Sequence, residues 1–206
     1  MLDRLIQQAI AQVLAPIYDP AFSEHSHGFR PGRSAHDAIQ EFRDYGDQWP
    51  KKDYVIDCDL KSFFDVVNHQ KLMRKLGERL TNRRLLSLIH RYLKAGVILP
   101  DGRYESASSG VPQGGPLSPL MSNILLDELD QELETRGHRF VRYADDFTIR
   151  CGSLRAGKRI MESVKQFVER RLKLIVNTSK SQVVALKDSA FLGFHIVRKK
   201  IRWTVK

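Results

Sequence analysis

Apolar residues recur with helical spacing over residues 3–15, where Leu5, Ile6, Ala9, Ile10, Val13 and Leu14 share one face. Pro16 and Pro20 are expected to close that helix. Residues 27–34 carry turn chemistry, and Ser34 predicts an N-cap for a helix over 35–47. The apolar run from Asp53 to Leu60 predicts a strand. Asn68 predicts the cap of a helix reaching Leu80, and Thr81 or Asn82 that of another ending near Gly96. Val97-Ile98-Leu99 and Arg103-Tyr104-Glu105, joined by Pro100-Asp101-Gly102, read as a hairpin. A Gly- and Pro-rich loop over 110–119 leads into an amphipathic helix to about Thr135, with Ser118 as cap and Pro119 at the first helical position. Two short strands, Phe140-Val141-Arg142 and Phe147-Thr148-Ile149, precede a helix over about 155–172. Strands are predicted at 182–186, 191–197 and 201–205. This order implies an α+β fold: an antiparallel sheet with helices on one face and no linker between parts.

Composition narrows the class. The 206 residues are ample for a hydrophobic core, and 42% hydrophobic with 28% charged residues is ordinary for a soluble globular protein. No apolar run approaches the roughly 20 residues that span a bilayer. Met1-Leu2-Asp3-Arg4 does not open a secretory signal, so no membrane partner and a cytoplasmic location are expected. Cys58 and Cys151 are far apart in strand-like contexts and read as reduced, buried thiols. The net charge of +10 is uneven: residues 101–150 carry net −4 and residues 151–206 net +11. An acidic focus flanked by basic surface suits metal-assisted chemistry on a polyanion.

That focus is Tyr143-Ala144-Asp145-Asp146, two acids in a tight turn between strands. Adjacent carboxylates repel, and a divalent cation shared with a third acid relieves the repulsion. Asp57 and Asp59 lie two apart on a strand and share a face, with Asp59 at its end. Such an arrangement can hold two magnesium ions, or manganese, because hard oxygen ligands disfavour zinc. Gly114-Gly115 would permit close backbone approach to a ligand, and Gln113 would touch a sugar or base.

Several segments together carry a family resemblance. These are Gln7–Ile10, His27–Ile39, Asp59-Leu60-Lys61-Ser62-Phe63-Phe64-Asp65, Gly110–Leu125, Tyr143-Ala144-Asp145-Asp146, Asn177-Thr178-Ser179-Lys180-Ser181 and Phe191-Leu192-Gly193-Phe194. In this order, and over nearly the whole chain, they resemble the fingers and palm of a bacterial group II intron reverse transcriptase/maturase. The resemblance implies a right-handed polymerase palm, with partial fingers over roughly 1–52 and palm over roughly 53–206. It implies RNA-directed addition of dNTPs to the 3′-hydroxyl of a DNA or RNA primer on an RNA template, with group II intron RNA as partner. Asp59, Asp145 and Asp146 would be catalytic metal ligands, with the Leu60 carbonyl as a backbone ligand.

The same resemblance makes Phe64 the steric gate against a 2′-hydroxyl and brings Gln113 to the incoming nucleotide. Arg30 and Arg33 would reach its triphosphate, and Lys180 would stand near the pyrophosphate as candidate general acid. Phe191-Leu192-Gly193 would form the primer-grip hairpin. Asp57 stands where relatives often carry other residues and receives no metal role. An RNA-dependent RNA polymerase is opposed by Phe64, and Arg30-Pro31-Gly32-Arg33-Ser34 favours the intron lineage over retron or diversity-generating relatives. The thumb, or maturase region, and any endonuclease domain are expected to be absent. A truncated intron-RNA-binding maturase fragment without turnover is therefore the alternative, and exposed finger and palm surfaces leave room for a homodimer.

Overall fold

The computed structural model describes residues 2–45, 54–98, 103–105, 107–112, 114–197 and 200–203. Local capping sets many element boundaries. Ser34 closes a capping box with Asp37: its hydroxyl accepts from the Asp37 N–H at 3.2 Å, and the Asp37 carboxylate accepts from the Ser34 N–H at 2.8 Å. Helix α2 follows as Ala35–Asp44. The end of the helix predicted over 35–47 and the loop residues 99–102 of the predicted hairpin lie outside the described residues. Asn68 and Asn82 cap α4 (His69–Gly77) and α5 (Arg83–Lys94), each accepting from an N–H three residues on at 3.0 Å. Between α2 and α4 lie strand β1 (Tyr54–Cys58) and the single turn α3 (Phe63–Val66).

Three local expectations are corrected. Helix α1 runs Leu2–Tyr18, so Pro16 sits inside its last turn, where it removes one N–H and ends the helix two residues on. It gives way to a 3₁₀ turn at Asp19–Ala21. Ser118 is not a cap: it begins α6 (Ser118–Thr135), and its hydroxyl donates instead to the Pro112 carbonyl at 2.5 Å. The strand predicted over 191–197 is two strands, β7 (Ala190–Phe191) and β8 (Phe194–Val197), reversed at Leu192-Gly193 with φ of 51° and 81°. Strand β9 (Lys200–Trp203) completes that small antiparallel sheet, and β2 (Val97–Ile98) pairs with β3 (Tyr104–Glu105).

The main sheet has the order β4-β5-β1-β6, antiparallel throughout, with β4 Arg139–Tyr143, β5 Asp146–Cys151 and β6 Gln182–Ala185. Its central strand pairs Ile56 with Ile149 on one side and Val183 on the other. Strand alternation then sorts the faces. Ile56, Cys58, Phe140, Phe147 and Ile149 join the large core with α1, α4, α5, α6 and α7 (Leu154–Phe167). Val55 and Val141 point the other way, into a smaller core with Ala38, Ile39 and Phe42 of α2 and with Phe191 and Phe194. The fold is α+β with most helices on one face, and α2 with the β7–β9 sheet covers part of the other. Both cysteines are buried and free, and burial pushes the Cys58 thiol up to about 12. Among the described residues no helix is long and apolar enough to cross a membrane.

Candidate active site

β4 and β5 pair as far as Tyr143 and Asp146, which leaves Ala144-Asp145 as a two-residue turn. Ala144 adopts φ 57°, a left-handed conformation that a non-glycine residue holds only under constraint. The constraint comes from behind. Arg142 is fully buried and uses all five of its donors. Nε and Nη2 form a fork on Asp130 at 2.8 and 2.6 Å, and Nη2 also donates to Ser26 Oγ at 2.8 Å. Nη1 donates to Asn123 Oδ1 at 2.9 Å and to the Ala144 carbonyl at 2.8 Å. Asn123 in turn donates to the Gly28 carbonyl at 2.9 Å. A Cβ on Gly28 would lie 2.2 Å from the Ala144 nitrogen, so only glycine lets this loop press on the turn.

Asp59 follows β1 on the same side. Its carboxylate Oδ2 accepts from Asn177 Nδ2 at 2.7 Å, and Lys180 Nζ stands 3.9 Å away. The segment carrying these residues is tied to Asp59 through its backbone. Asn177 N–H donates to the Asp59 carbonyl at 2.9 Å and Asp59 N–H to Ser181 Oγ at 3.1 Å. Lys61 N–H donates to the Ile175 carbonyl at 2.8 Å. The antiparallel bridge between Leu60 and Val176 is thus made by the flanking groups and does not consume the Leu60 carbonyl.

The Asp59 charge reaches both acids of the turn. Burial, then the charge of Asp59, pushes the Asp145 carboxyl above its ordinary value. Burial, then Asp145 and Asp59, does the same to Asp146, and Lys180 opposes both. Asp57, on the shared strand face, is pushed up to about 6, chiefly by burial, while Ser189 Oγ donates to it at 3.3 and 3.4 Å. Among the described residues no three His, Cys, Asp or Glu side chains come close enough to hold a metal ion by themselves. The donor set is nonetheless all carboxylate oxygen with excess negative charge, which suits a hard divalent cation completed by other oxygen ligands.

The remaining expected site residues divide. Phe63 packs into the core, and Phe64 stands half-buried and edge-on to it at 5.2 Å. The Phe64 carbonyl accepts from Val111 N–H at 2.6 Å, and Val67 O from Gly110 N–H at 2.8 Å, so Gly110 and Val111 lie against the Phe64 turn. Gly114 uses its left-handed φ of 77°, while Gly115 sits against the Gln7 side chain. Gln113 lies outside the described residues. Phe191 is an anchor in the smaller core, 5.6 Å from Phe42, and Leu192 and Gly193 form the hairpin tip. Arg33 is partly buried and donates to the Glu24 carbonyl.

Arg30 corrects the expectation for the triphosphate. Its side chain is only 5% exposed, and it donates to Asp19 Oδ1 at 2.8 Å, Ser23 O at 2.5 Å, Ser26 O at 2.9 Å and Asp19 O at 3.0 Å. A guanidinium spent on these partners is a brace of the 19–30 loop and does not reach out to a phosphate. The residues that sequence reasoning passed over are Gly28, Asn123, Asp130, Arg142 and Asn177. Arg142 carried a usable signal, a charge inside an otherwise apolar strand run.

Comparison with known proteins follows this geometry. The family model described as reverse transcriptase (RNA-dependent DNA polymerase) matches residues 1–196. Protein YkfC of Escherichia coli K12 is 33% identical over 98% of this chain and 62% of its own length. The group II intron-encoded protein LtrA of Lactococcus lactis subsp. cremoris is 30% identical over 94% of this chain and 43% of its own. The chain thus spans about half the length of these relatives. Among solved structures, telomerase from Candida albicans in complex with the TWJ fragment of telomeric RNA matches 97% of this chain and 37% of its own. Its TM-score is 0.71 at 17% identity. Apo telomerase from Candida tropicalis matches 97% and 40%, with a TM-score of 0.72 at 15% identity. Matched along its length by one family model and by an intron-encoded relative, the chain belongs to the reverse transcriptase family, among the group II intron reverse transcriptases and maturases.

Proposed function

We propose that the chain is the RNA-directed DNA polymerase domain of a group II intron-encoded protein, adding dNTPs to a primer 3′-hydroxyl on an RNA template. In this reading residues 1–52 are partial fingers and 53–206 the palm. The observation that carries it is the approach of the strand end at Asp59 to the Asp145-Asp146 turn, close enough that the Asp59 charge adds to burial in raising both turn carboxyls. Asp59, Asp145, Asp146 and the Leu60 carbonyl would hold the magnesium ions. Bound there, paired divalent cations lower the pKa of the attacking hydroxyl and stabilise the leaving pyrophosphate.

The protein's own groups do the rest. Asn177 fixes the Asp59 carboxylate in one orientation. Lys180, mostly exposed beside Asp59, would meet the departing pyrophosphate and donate a proton to it. Phe64 would stand under the sugar, its ring steadied by Phe63 and its backbone by Val111, and so disfavour a ribose. Arg33 and Gln113 are left to contact the nucleotide, and Leu192-Gly193 to touch the primer end.

Primer extension on poly(rA)/oligo(dT) with magnesium tests this. Wild type is expected to extend and Asp145→Ala to fall to background. Wild type at the level of the variant would refute polymerase activity of this chain. Retained RNA binding without extension would favour the maturase fragment. In the same assay Phe64→Val should raise ribonucleotide incorporation, and unchanged selectivity would remove Phe64 from the gate.

A further inference from the structure

On the helical face of the palm, three cations converge on one carboxylate. Lys71 and Arg74 come from α4, and Arg171 from the π-helical turn Val168–Leu172. They surround Glu128 of α6, whose two oxygens are buried and accept no hydrogen bond. Lys71 Nζ stands 3.9 Å and Arg171 Nε 3.8 Å from Oε1, and Arg74 Nη2 stands 3.6 Å from Oε2. These are longer than charge-assisted hydrogen bonds, so no cation is captured and one negative charge is shared. The excess is felt at Lys71. Burial first, then Arg74, Arg171 and Lys173, lowers its pKa against the opposing pull of Glu128.

We infer that this cluster is a second polyanion site, which binds phosphates of structured RNA on the helical face of the palm. Lysines and arginines that merely solvate a helix point apart. These come from separate elements to one point at a cost in repulsion, which a phosphate would relieve. The exposed heads belong to Arg74 and Arg171, 59% and 68% exposed, whose planar forks match phosphate oxygens. Helices α4 and α6 and the π turn expose no large hydrophobic side chain, so the face offers nothing to insert into a lipid surface. The inference rests on the RNA-handling part of the proposed function and not on turnover.

The test is fluorescence anisotropy with a labelled A-form RNA hairpin, titrated with the whole chain across a range of NaCl. Arg74→Glu/Arg171→Glu is compared with Arg83→Glu/Arg84→Glu, an equal charge change at two exposed positions opening α5. The first pair is expected to weaken binding at least about tenfold at 100 mM NaCl and to reduce the salt slope by about 2. The second should weaken it no more than about twofold. Equal losses for both pairs would mean non-specific attraction, and no loss for the first, or no binding by wild type, would overturn the site. Vesicles containing phosphatidylserine form a further arm: if the first pair abolishes vesicle binding and spares RNA, the surface is a membrane contact and the inference fails. Primer extension by wild type is read separately, so wild type without turnover but with a surviving RNA-binding difference between the pairs would refute the polymerase reading alone. Matched thermal melts of all variants verify folding.

Discussion

The two arms of the acid site are held in opposite ways. Asp59 is gripped at its carboxylate by Asn177, with Lys180 nearby, both from a surface segment. The Asp145-Asp146 arm is held through its backbone, from a fully buried guanidinium to the Ala144 carbonyl and from Gly28 pressing on the Ala144 nitrogen. The difference separates orientation from placement. A carboxylate at a strand end keeps its position from the sheet and needs only its rotamer chosen. Acids at a turn tip need the turn itself locked in a left-handed conformation.

The largest expected effect breaks the buried arm. Arg142→Ala should cost about 3–5 kcal/mol in urea unfolding, because Asp130 is left fully buried without its partner. A cost under about 1 kcal/mol would mean that the turn is held by something other than this network. Gly28→Ala should cost about 1–3 kcal/mol, since its methyl group meets backbone and not a side chain that can swing away. A thermal melt matching wild type would show that loop and turn do not touch in solution. Asn177→Ala should cost only about 1 kcal/mol of stability, because its bond to the Asp59 carboxylate is part-exposed and the two that its Oδ1 accepts from Ser179 are exposed, where water replaces them. Its primer-extension rate should fall out of proportion to that loss. Equal falls in stability and rate would make Asn177 structural alone.

The smallest effect is a pH dependence of the loop that backs the turn. His25 accepts the Arg142 N–H at its carbonyl, and its ring meets Glu41, which also bonds His27 at 2.6 Å. The Glu41 hydrogen bond raises the His25 pKa, against burial and with help from the Glu41, Glu134 and Asp130 charges. Burial opposes ionisation of Glu41, yet bonds from His25, His27 and Tyr45 hold it at about 2. The His25 contribution is therefore complete below pH about 6.5 and lost as pH rises through its raised value. The Glu41 contribution is lost only as pH falls from about 4.5 toward 2. Melts should show stability declining as pH rises above about 6.5, and Glu41→Gln should flatten that decline. An unchanged slope would detach the cluster from the loop.

Much of the local architecture was legible because its causes are local. The caps at Ser34, Asn68 and Asn82 each act within three residues, and the acid turn is bounded by strands whose alternation can be counted. The Asp59 and Asp145-Asp146 positions followed from the same strand ends. The roles of the arginines did not. Arg30 and Arg33 share one loop motif, but Arg30 turns inward because Asp19 and two loop carbonyls wait there, while Arg33 meets Glu24 nearer the surface. Arg142 looked like a strand flank, and its value depends on Ser26, 116 residues away in sequence. Phe191 was expected in the primer-grip hairpin, but which of its three residues faces the core depended on packing against Phe42 of α2.

By itself the sequence determined where the acids, Phe64 and the helix and strand ends lie. Turn chemistry, capping and period-two alternation are forces between near neighbours. Tertiary structure alone decided which charges are buried and which stay free. A buried charge is tolerated only where its partners converge, and those partners come from loops and helices far apart in the chain. The acid turn is the meeting point of the two kinds of information: its carboxylates are written in adjacent residues, and its conformation is held by Arg142, Asn123 and Gly28 from elsewhere in the fold.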